Sequence, residues 1–341
     1  MTTPTTPTAG VGLPVPDAEL AQLLADRLET VESVLRESVT QTDQLADDAS
    51  RHLVNAGGKR LRPLLALLCA ELGDGSRPEV VDAAVVVELT HLATLYHDDV
   101  MDSAPLRRGA PSAHEVWGNS VAILTGDLLF ARASRLVAGL GTEAVKIQAA
   151  TFERLCLGQM RESIGPRETD DAVEHYIGVL ADKTASLLAT SALFGARFAG
   201  CSDEVAQMVA AYGERLGVAF QLADDVIDLT STGDLTGKTP GTDLREKVPT
   251  MPTILLRRRV AAGEGSAADA ELVALLDSDL SDDTVLADAV ERLREHDVVD
   301  ATRALAARWA RDAVAEIGSL ADGRVKDTLV SFADAMVDRA S

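Results

Sequence analysis

Apolar residues recur at intervals of three and four along most of the chain, which is the spacing of one face of an α-helix. Leu20, Leu24 and Val31 follow this spacing after Asp17, which is suited to cap a helix that we expect to end near Val39. The same spacing predicts helices over 77–101, 119–139, 143–164, 170–199 and 203–228. No stretch shows the two-residue alternation of a β-strand. The pattern therefore predicts an all-α protein whose helices surround a central cavity.

The helical pattern is interrupted at a few places that organise the chain. Residues 1–16 are rich in Thr and Pro, which predicts a flexible tail. Residues 230–249 are polar and rich in Gly, Thr and Lys, and long loops of this kind are often functional lids. From 250 onward the helical spacing returns, with acidic linkers near 263–266 and 277–283. No break in composition divides the chain, so we expect one domain over 17–341.

Composition and charge limit the possible functions. Apolar residues make up 46% of the 341 positions, which is enough for a substantial core. The net charge of −22 argues against a nucleic-acid partner, because a phosphate polymer would be repelled. The N-terminus lacks the basic and apolar segments of a signal peptide, and we see no apolar run of the length that a membrane span needs. We therefore expect a cytoplasmic protein.

Two clusters of aspartates end apolar helical segments. In the first, Asp98 and Asp102 are four residues apart, so a helix places them on one face, at a cost of roughly 0.2–0.5 kcal/mol unless a cation joins them. The second cluster repeats the spacing with Asp224 and Asp228. Mg²⁺ prefers carboxylate oxygens and is commonly shared between one or two carboxylates and substrate phosphates. A solvated helix end would explain one such cluster, but two predict a magnesium site that binds a diphosphate.

Cations are concentrated beside these acidic clusters. The segment Gly57–Pro63 (GGKRLRP) carries three cationic side chains, and Arg107 and Arg108 follow the first cluster. Arginine forks and lysine point charges both suit phosphate oxygens. Five cations exceed what one metal-bound diphosphate needs, which suggests two diphosphates, one held through metal and one held directly.

Five further polar residues have spacings that fit the same site. Lys183 and Thr184 lie in an apolar segment, although a lysine there also commonly extends to solvent. Gln221 precedes Asp224 by three residues, and Lys238 follows the second cluster on the polar loop. His91 lies seven residues before Asp98, on the same helix face, where a buried structural histidine is the plainer interpretation.

These motifs together resemble the trans-isoprenyl diphosphate synthases, the polyprenyl synthetase family. The resemblance rests on GGKRLRP, HDDVMD followed by LRRG, the Lys183-Thr184 pair, and FQLADDVID followed by GDLTGKTPGTD, in consistent order over about 50–260. It implies the all-α isoprenoid synthase fold and a homodimer that requires Mg²⁺, about three ions per site. The implied reaction adds isopentenyl diphosphate head-to-tail to an allylic diphosphate.

The resemblance also implies a role for individual residues. The implied metal ligands are Asp98, Asp102, Asp224 and Asp228, with Asp225 in support. The positions that resemble the isopentenyl diphosphate site are Lys59, Arg62, His91 and Arg108. The positions that resemble the allylic diphosphate site, where they would stabilise the leaving group and the allylic cation, are Arg107, Lys183, Thr184, Gln221 and Lys238.

Product length is implied by the helix turns that precede Asp98. Members that stop early carry aromatic residues at the positions of Ala93 and Thr94, which are small here, as is Thr90 a turn earlier. This resembles the long-chain enzymes that make quinone side chains, and we expect such a product to leave by transient contact with a membrane. A geranylgeranyl-type synthase is the alternative. A class I terpene cyclase is disfavoured, because its second metal motif normally mixes Asn, Ser or Thr with Glu and it has no need of GGKRLRP. A noncatalytic subunit or scaffold is disfavoured, because both aspartate clusters and their cationic partners are intact.

Overall fold

The computed structural model describes residues 8–9, 13–230 and 241–338, and these are almost entirely helical. The predicted all-α class is confirmed. The helices are α1 (Ala18–Ser38), α2 (Gln44–Asn55), α3 (Leu61–Ala70), α4 (Pro78–Met101), α5 (Ala113–Trp117), α6 (Asn119–Gly139), α7 (Thr142–Ile164), α8 (Ala172–Leu180), α9 (Ser186–Phe198), α10 (Asp203–Thr230), α11 (Thr242–Arg245), α12 (Met251–Ala261), α13 (Ala267–Asp277), α14 (Asp283–Arg294), α15 (Asp297–Glu316) and α16 (Arg324–Asp338).

The chain divides into two compact units. The first unit comprises Met1–Glu153, Ser186–Gly213 and Glu316–Phe332, and the second comprises Arg154–Ala185, Glu214–Ala315 and Ala333–Ser341. The division into two compact units does not decide whether they form one domain. The single domain expected over 17–341 therefore stays a prediction.

The first unit is built around α4. This helix packs against α6, α3 and α9, and its residues are buried on nearly every side. Tyr96 ties it to α2, because the Tyr96 hydroxyl donates to the Ala49 carbonyl at 2.5 Å and accepts from the Leu53 N–H at 3.2 Å. The α4 helix therefore holds the first acidic cluster at the end of a rigid, buried rod.

The second unit has two apolar clusters in its core. One joins the end of α10 to α13 and α14 through Val226, Leu276 and Leu293. The other joins α8, α10 and α12 through Leu180, Leu222 and Met251. Buried apolar side chains on α10 belong to both clusters, so the helix that ends in the second acidic cluster is also anchored on two sides.

The structure departs from the predicted secondary structure in two places. The helix expected over 170–199 is present as Ala172–Phe198, but a π-helix, Ala181–Ala185, lies within it between α8 and α9. Short strands also occur: β1 (Thr8–Ala9) pairs with β2 (Leu13–Pro14) inside the expected tail, and β3 (Leu106–Arg107) pairs with β4 (Ala110–Pro111). Strands of two residues are too short to show alternation in a sequence, which is why the pattern missed them.

Two helical segments are long and apolar enough to span a membrane, which the sequence pattern did not indicate. They are Pro78–Met101 and Ala172–Phe198. Within the most apolar stretch of each, 67% and 56% of the residues are buried inside the protein. Such burial is characteristic of core helices, so length and composition alone are weak grounds for a membrane span here.

Candidate active site

The first acidic cluster has two differently placed kinds of aspartate at the end of α4. Asp98 and Asp102 lie one helical turn apart, and Asp102 is exposed. Asp99 is fully buried, and its Oδ1 accepts a hydrogen bond from Arg107 Nε at 2.6 Å. Burial raises the pKa of Asp99, while the Arg107 guanidinium opposes that rise. Asp99 therefore holds Arg107 in place, whereas Asp98 and Asp102 lie together on another face of the helix.

A tight hairpin presents Arg107 and Arg108. Arg108 and Gly109 connect β3 to β4, and both have positive φ angles, 55° and 78°, as a type I′ turn requires. Arg108 Nη1 donates to the Leu53 carbonyl at 3.1 Å and also to the Gly57 carbonyl. The Arg108 guanidinium is thus fixed against the chain that enters the GGKRLRP segment.

Gly58 is required by this arrangement. A Cβ atom at Gly58 would lie 2.7 Å from the Arg108 Cζ, and the residue has a φ of 146°. A larger side chain would displace the Arg108 guanidinium from its carbonyl acceptors, and the positive φ would add backbone strain. The glycine pair that the sequence singled out therefore seats an arginine of the next motif.

One of the three cations in GGKRLRP is structural. Arg60 is 4% exposed; it forms ion pairs with Glu32 and, at 2.9 Å, with Glu88 on α4, and it donates to the Val54 carbonyl at 3.2 Å. These carboxylates raise the pKa of Arg60 against the opposing effect of burial. Arg60 therefore binds the loop to the core, and the count of five cations available to diphosphates is reduced to four.

Arg62 and His91 lie close enough to interact electrostatically in the first unit. Burial, together with the nearby Arg108, lowers the pKa of Arg62 to about 10. Its Nε is buried without a hydrogen-bond partner among the described residues. Burial and the surrounding arginines, Arg62 first among them, lower the pKa of His91 far below its usual value, so the ring is neutral near pH 7. A buried donor without an acceptor, beside other cationic side chains, is suited to an anionic ligand. Lys59, also predicted for this site, is exposed.

The residues predicted to line the elongation cavity are closely packed. Thr90 has no exposed area, and its Oγ1 accepts a hydrogen bond from Gln148 Nε2 at 2.6 Å. Ala93 is likewise fully buried and faces α6, where a Cβ at Gly126 would lie 3.1 Å from the Ala93 carbonyl oxygen. Thr94 is half-buried and donates to the His91 carbonyl at 2.8 Å. Their role in product length stays a prediction.

In the second unit the π-helix carries Lys183 and Thr184. Both are half-buried, and Lys183 Nζ donates to Glu162 Oε2 on α7. The neighbouring Asp182 accepts from Arg154 at 2.9 Å and from Arg161 at 2.5 Å. The sequence predicted Lys183 but not Glu162, since a glutamate 21 residues away in an acidic chain gives no distinguishing pattern.

The second acidic cluster has the same division as the first. Asp224 and Asp228 lie one turn apart near the end of α10 and are half-buried, as is Gln221 one turn earlier. Asp225 is 5% exposed; it accepts from the Tyr176 hydroxyl at 2.9 Å and from the Met251 N–H at 2.9 Å. Burial raises the pKa of Asp225 well above its usual value, and these two donors oppose the rise. As in the first cluster, the aspartate between the outer two is buried and hydrogen-bonded to other parts of the chain.

A cavity of about 540 Å³ lies within the second unit. It is lined by Glu162 and Tyr176, the partners of Lys183 and Asp225, and by apolar side chains such as Val179, Leu244 and Leu280. None of the predicted substrate or metal ligands that the structure describes lines it, but Leu244, Lys247, Val248 and Pro249 of the predicted lid segment do. The cavity therefore lies beside Glu162 and Tyr176, which are hydrogen-bond partners of predicted site residues, and not beside the predicted ligands themselves.

The donor chemistry of the two clusters fits magnesium better than a transition metal. Among the described residues, no group of three or more His, Cys, Asp or Glu side chains is placed to enclose a metal ion. Structural zinc needs such a closed set, whereas Mg²⁺ is usually held by one or two carboxylates, waters and substrate phosphates. Pairs of aspartates one turn apart meet that requirement. Lys238, the last predicted site residue, lies outside the described residues.

Comparisons with known proteins identify the class of protein that this fold and these motifs define. Residues 43–293 match the family model described as polyprenyl synthetase. A nonaprenyl diphosphate synthase of Mycobacterium tuberculosis is 43% identical over 340 residues, which cover 99% of this chain and 99% of that protein. The chain belongs to the polyprenyl synthetase family, and the family and enzyme class predicted from the motifs are confirmed.

Solved structures agree with this assignment. A geranylgeranyl pyrophosphate synthase from Corynebacterium glutamicum, complexed with calcium and isoprenyl diphosphate, is 41% identical with a TM-score of 0.84, covering 95% of this chain and 98% of its own. A decaprenyl diphosphate synthase from Rhodobacter capsulatus is 32% identical with the same TM-score of 0.84, covering 95% of this chain and 99% of its own. The isoprenoid synthase fold is thereby confirmed.

Proposed function

We propose that this protein is a divalent-metal-dependent prenyltransferase that adds isopentenyl diphosphate units head-to-tail to an allylic diphosphate primer. The observation that carries the proposal is the buried Arg62 Nε without a partner, beside a neutral His91 and the anchored Arg108. Such a pocket offers positive charge and open donors to a diphosphate. A terpene cyclase, which uses no isopentenyl diphosphate, would not need this second anion site.

In this proposal the isopentenyl diphosphate is bound by the first unit. Arg62, Arg108 and Lys59 neutralise its diphosphate, and neutral His91 exchanges hydrogen bonds with it without adding charge. Arg108 enters the site already seated on two carbonyls, so little freedom is lost when it binds.

We propose that the allylic diphosphate binds through metal ions held by aspartates. Asp98, Asp102, Asp224 and Asp228 are the proposed ligands of Mg²⁺, about three ions per site. When bound, the metal would stabilise the charge that develops on the leaving diphosphate. Arg107 and Lys183 would add positive charge toward the leaving diphosphate, and the family resemblance implies the same role for Lys238.

The allylic carbocation that remains must be protected from water. Thr184 and Gln221 offer weak dipoles rather than nucleophiles, so they stabilise the cation without capturing it. The double bond of isopentenyl diphosphate attacks the cation, and a proton is then lost, for which the departing diphosphate is the nearest base. No serine or cysteine nucleophile is needed.

We propose a product longer than geranylgeranyl diphosphate. The small side chains of Thr90, Ala93 and Thr94 support this length, and the M. tuberculosis relative is named as a nonaprenyl synthase. The C. glutamicum relative, of similar identity, is named as a geranylgeranyl synthase, so a medium-chain product is the alternative.

We also propose that two copies associate. Among the described residues, α6 and α7 expose the apolar side chains of Ile123, Leu124, Val145 and Phe152, with 42%, 65%, 40% and 37% of their surface accessible. Exposed apolar side chains of this size mark association surfaces. Sedimentation equilibrium distinguishes a dimer from a monomer, and Leu124→Arg should shift the population toward monomer.

The activity is tested by incubating the protein with labelled isopentenyl diphosphate, farnesyl diphosphate and Mg²⁺. We expect label in an acid-labile prenyl product, and none when a chelator removes the metal. The Arg62→Gln variant should lose most incorporation at low isopentenyl diphosphate, because the buried donor is removed. Lack of incorporation by folded wild-type protein would refute the proposal.

A further inference from the structure

Two glycines contact the π-helix, one on each of two helices. A Cβ at Gly158 of α7 would lie 2.7 Å from the Lys183 amide nitrogen and 3.0 Å from the Asp182 Cβ. A Cβ at Gly217 of α10 would lie 2.6 Å from the Ala185 Cβ. Real Cβ atoms do not approach other atoms this closely, so both positions require glycine while the π-helix keeps its place.

The same face of α7 also holds the side chains of the π-helix. Arg154, Gly158, Arg161 and Glu162 are spaced by four, three and one residues, which places them on one helical face. Arg154 and Arg161 both bind Asp182. Glu162 accepts from Lys183. One helix face therefore fixes both the backbone and the charged side chains of this turn.

The π-helix backbone is further supported by the link between α7 and α10. Arg154 donates to the Ala181 carbonyl at 3.2 Å and to Glu214 of α10 at 2.5 and 3.0 Å. Glu214 precedes Gly217 by three residues on the same face. A π-helix has a wider turn than an α-helix and is often found at functional sites. Here it is enclosed by close contacts from α7 and α10.

We propose that Gly158 and Gly217 are positioning residues for Lys183 and Thr184. Their missing side chains let α7 and α10 approach the π-helix closely enough to set the direction in which Lys183 leaves the backbone. The inference rests on the proposed role of Lys183 at the allylic diphosphate. It assigns a function to two glycines that touch neither substrate.

The test compares four glycine-to-alanine variants. Gly158→Ala and Gly217→Ala add a methyl group against the π-helix. Gly213→Ala on α10 is the matched packing control, because its Cβ would lie 2.8 Å from the Leu188 carbonyl oxygen and 2.9 Å from the Ala189 Cα, away from the π-helix. Gly178→Ala on α8 meets nothing within 4 Å and controls for the substitution itself.

Steady-state kinetics are measured per folded molecule, with the folded fraction taken from circular dichroism. For Gly158→Ala and Gly217→Ala we expect kcat to fall by about tenfold to a hundredfold, the range that a displacement near 1 Å produces. The KM for the allylic primer should rise, while the KM for isopentenyl diphosphate stays unchanged. Gly213→Ala should lose stability but keep wild-type KM values and kcat, and Gly178→Ala should change neither.

A double-mutant comparison separates positioning from general damage. In the Lys183→Ala background, Gly158→Ala should lose most of its effect on kcat, because the side chain that it positions is gone. If neither single variant folds, Arg154→Gln, which removes the donor to the Ala181 carbonyl without adding an atom against the π-helix, is measured instead. Wild-type kcat and wild-type KM for the allylic primer in that variant would overturn the proposal.

Kinetics of Gly158→Ala and Gly217→Ala that match Gly213→Ala, or full additivity with Lys183→Ala, would overturn the proposal. Wild-type protein without any prenyl product would instead refute the proposed function, so the two failures are distinguishable.

Discussion

Asp99 Oδ1 and Arg107 Nε lie 2.6 Å apart, and Asp99 has no exposed surface. The central carboxylate of the first acidic cluster is thus directed at the hairpin that follows it, whereas Asp98 and Asp102 share another face. The second cluster repeats the division, since Asp225 accepts from Tyr176 and from the backbone of Met251. In both clusters the aspartate between the outer two supports the structure, and the outer pair is the one that we propose as metal ligands.

The first prediction concerns Asp99→Asn. The variant keeps the shape of the side chain but loses the charge that fixes Arg107, an interaction of about 1.5–3 kcal/mol for a charge-assisted hydrogen bond. We expect the KM for the allylic primer to rise by about tenfold, with the Mg²⁺ concentration for half-maximal rate unchanged. Initial rates at varied primer and varied Mg²⁺ measure both quantities.

Asp98→Asn is the matched control for that experiment. It neutralises a proposed metal ligand, so the Mg²⁺ requirement should rise steeply. Equal Mg²⁺ requirements in the two variants would show that the outer and middle aspartates do not differ in the way that we describe.

The second prediction concerns Glu88, which is 1% exposed and pairs with Arg60 at 2.9 Å. Glu88→Gln leaves a buried guanidinium with less compensation, and breaking a buried pair typically costs about 3–5 kcal/mol. Urea unfolding should therefore give a large loss in the free energy of unfolding. Glu32, whose side chain is 20% exposed, is the control, because screening by solvent makes Glu32→Gln much milder. Equal losses would contradict a buried anchor at Glu88.

The third prediction concerns pH. The pKa of His91 in the folded protein is far below the 6.5 of an unfolded histidine, because the site is buried and lined by arginines. The unfolded chain therefore takes up a proton at His91 that the folded chain does not, and stability is lost as the pH falls below 6.5. His91→Gln removes this contribution.

We expect the free energy of unfolding of wild type to fall more steeply between pH 7.5 and 5.5 than that of His91→Gln, as measured by urea unfolding at about those two values. The two proteins differ only at position 91, so contributions from the rest of the chain cancel in the comparison. Parallel pH profiles would contradict a neutral, buried His91.

The fourth prediction concerns Ala93→Phe. An aromatic ring on this buried turn of α4 should block the growing chain and shorten the product, as measured by chromatography of the dephosphorylated alcohols. Overpacking a core site costs about 1–3 kcal/mol, so the folded fraction must be checked. Ala289→Phe, in the fully buried core of the second unit, controls for overpacking alone and should leave product length unchanged. An unchanged length in Ala93→Phe would refute the proposed wall.

Much of the fold follows from helical spacing and capping in the sequence. Asp17 caps α1 as predicted, since its side chain accepts from the Leu20 N–H at 2.7 Å. The bounds expected for α4, α6, α7 and α10 agree with the structure to within two residues. These helices are long and bury a continuous face, so their periodicity is strong.

The missed features depend on contacts between distant residues. The π-helix at 181–185 interrupts an unbroken apolar pattern, and what holds it there is a pair of glycines and an arginine on other helices. Arg60 belongs to a motif that suggests ligand binding, but Glu32 and Glu88, each 28 residues away, make it structural. Residue type and local spacing indicate which chemistry is present, whereas pairing in three dimensions decides which members of a motif are available for it.

The proposed reaction and product length are tested most directly by the mass spectrum of the product made from farnesyl diphosphate, excess isopentenyl diphosphate and Mg²⁺. We expect a series of prenyl diphosphates, each one isoprene unit longer than the last, that ends beyond geranylgeranyl diphosphate. A series that ends at geranylgeranyl diphosphate would contradict the proposed product length, and the absence of any elongated product would contradict the proposed reaction.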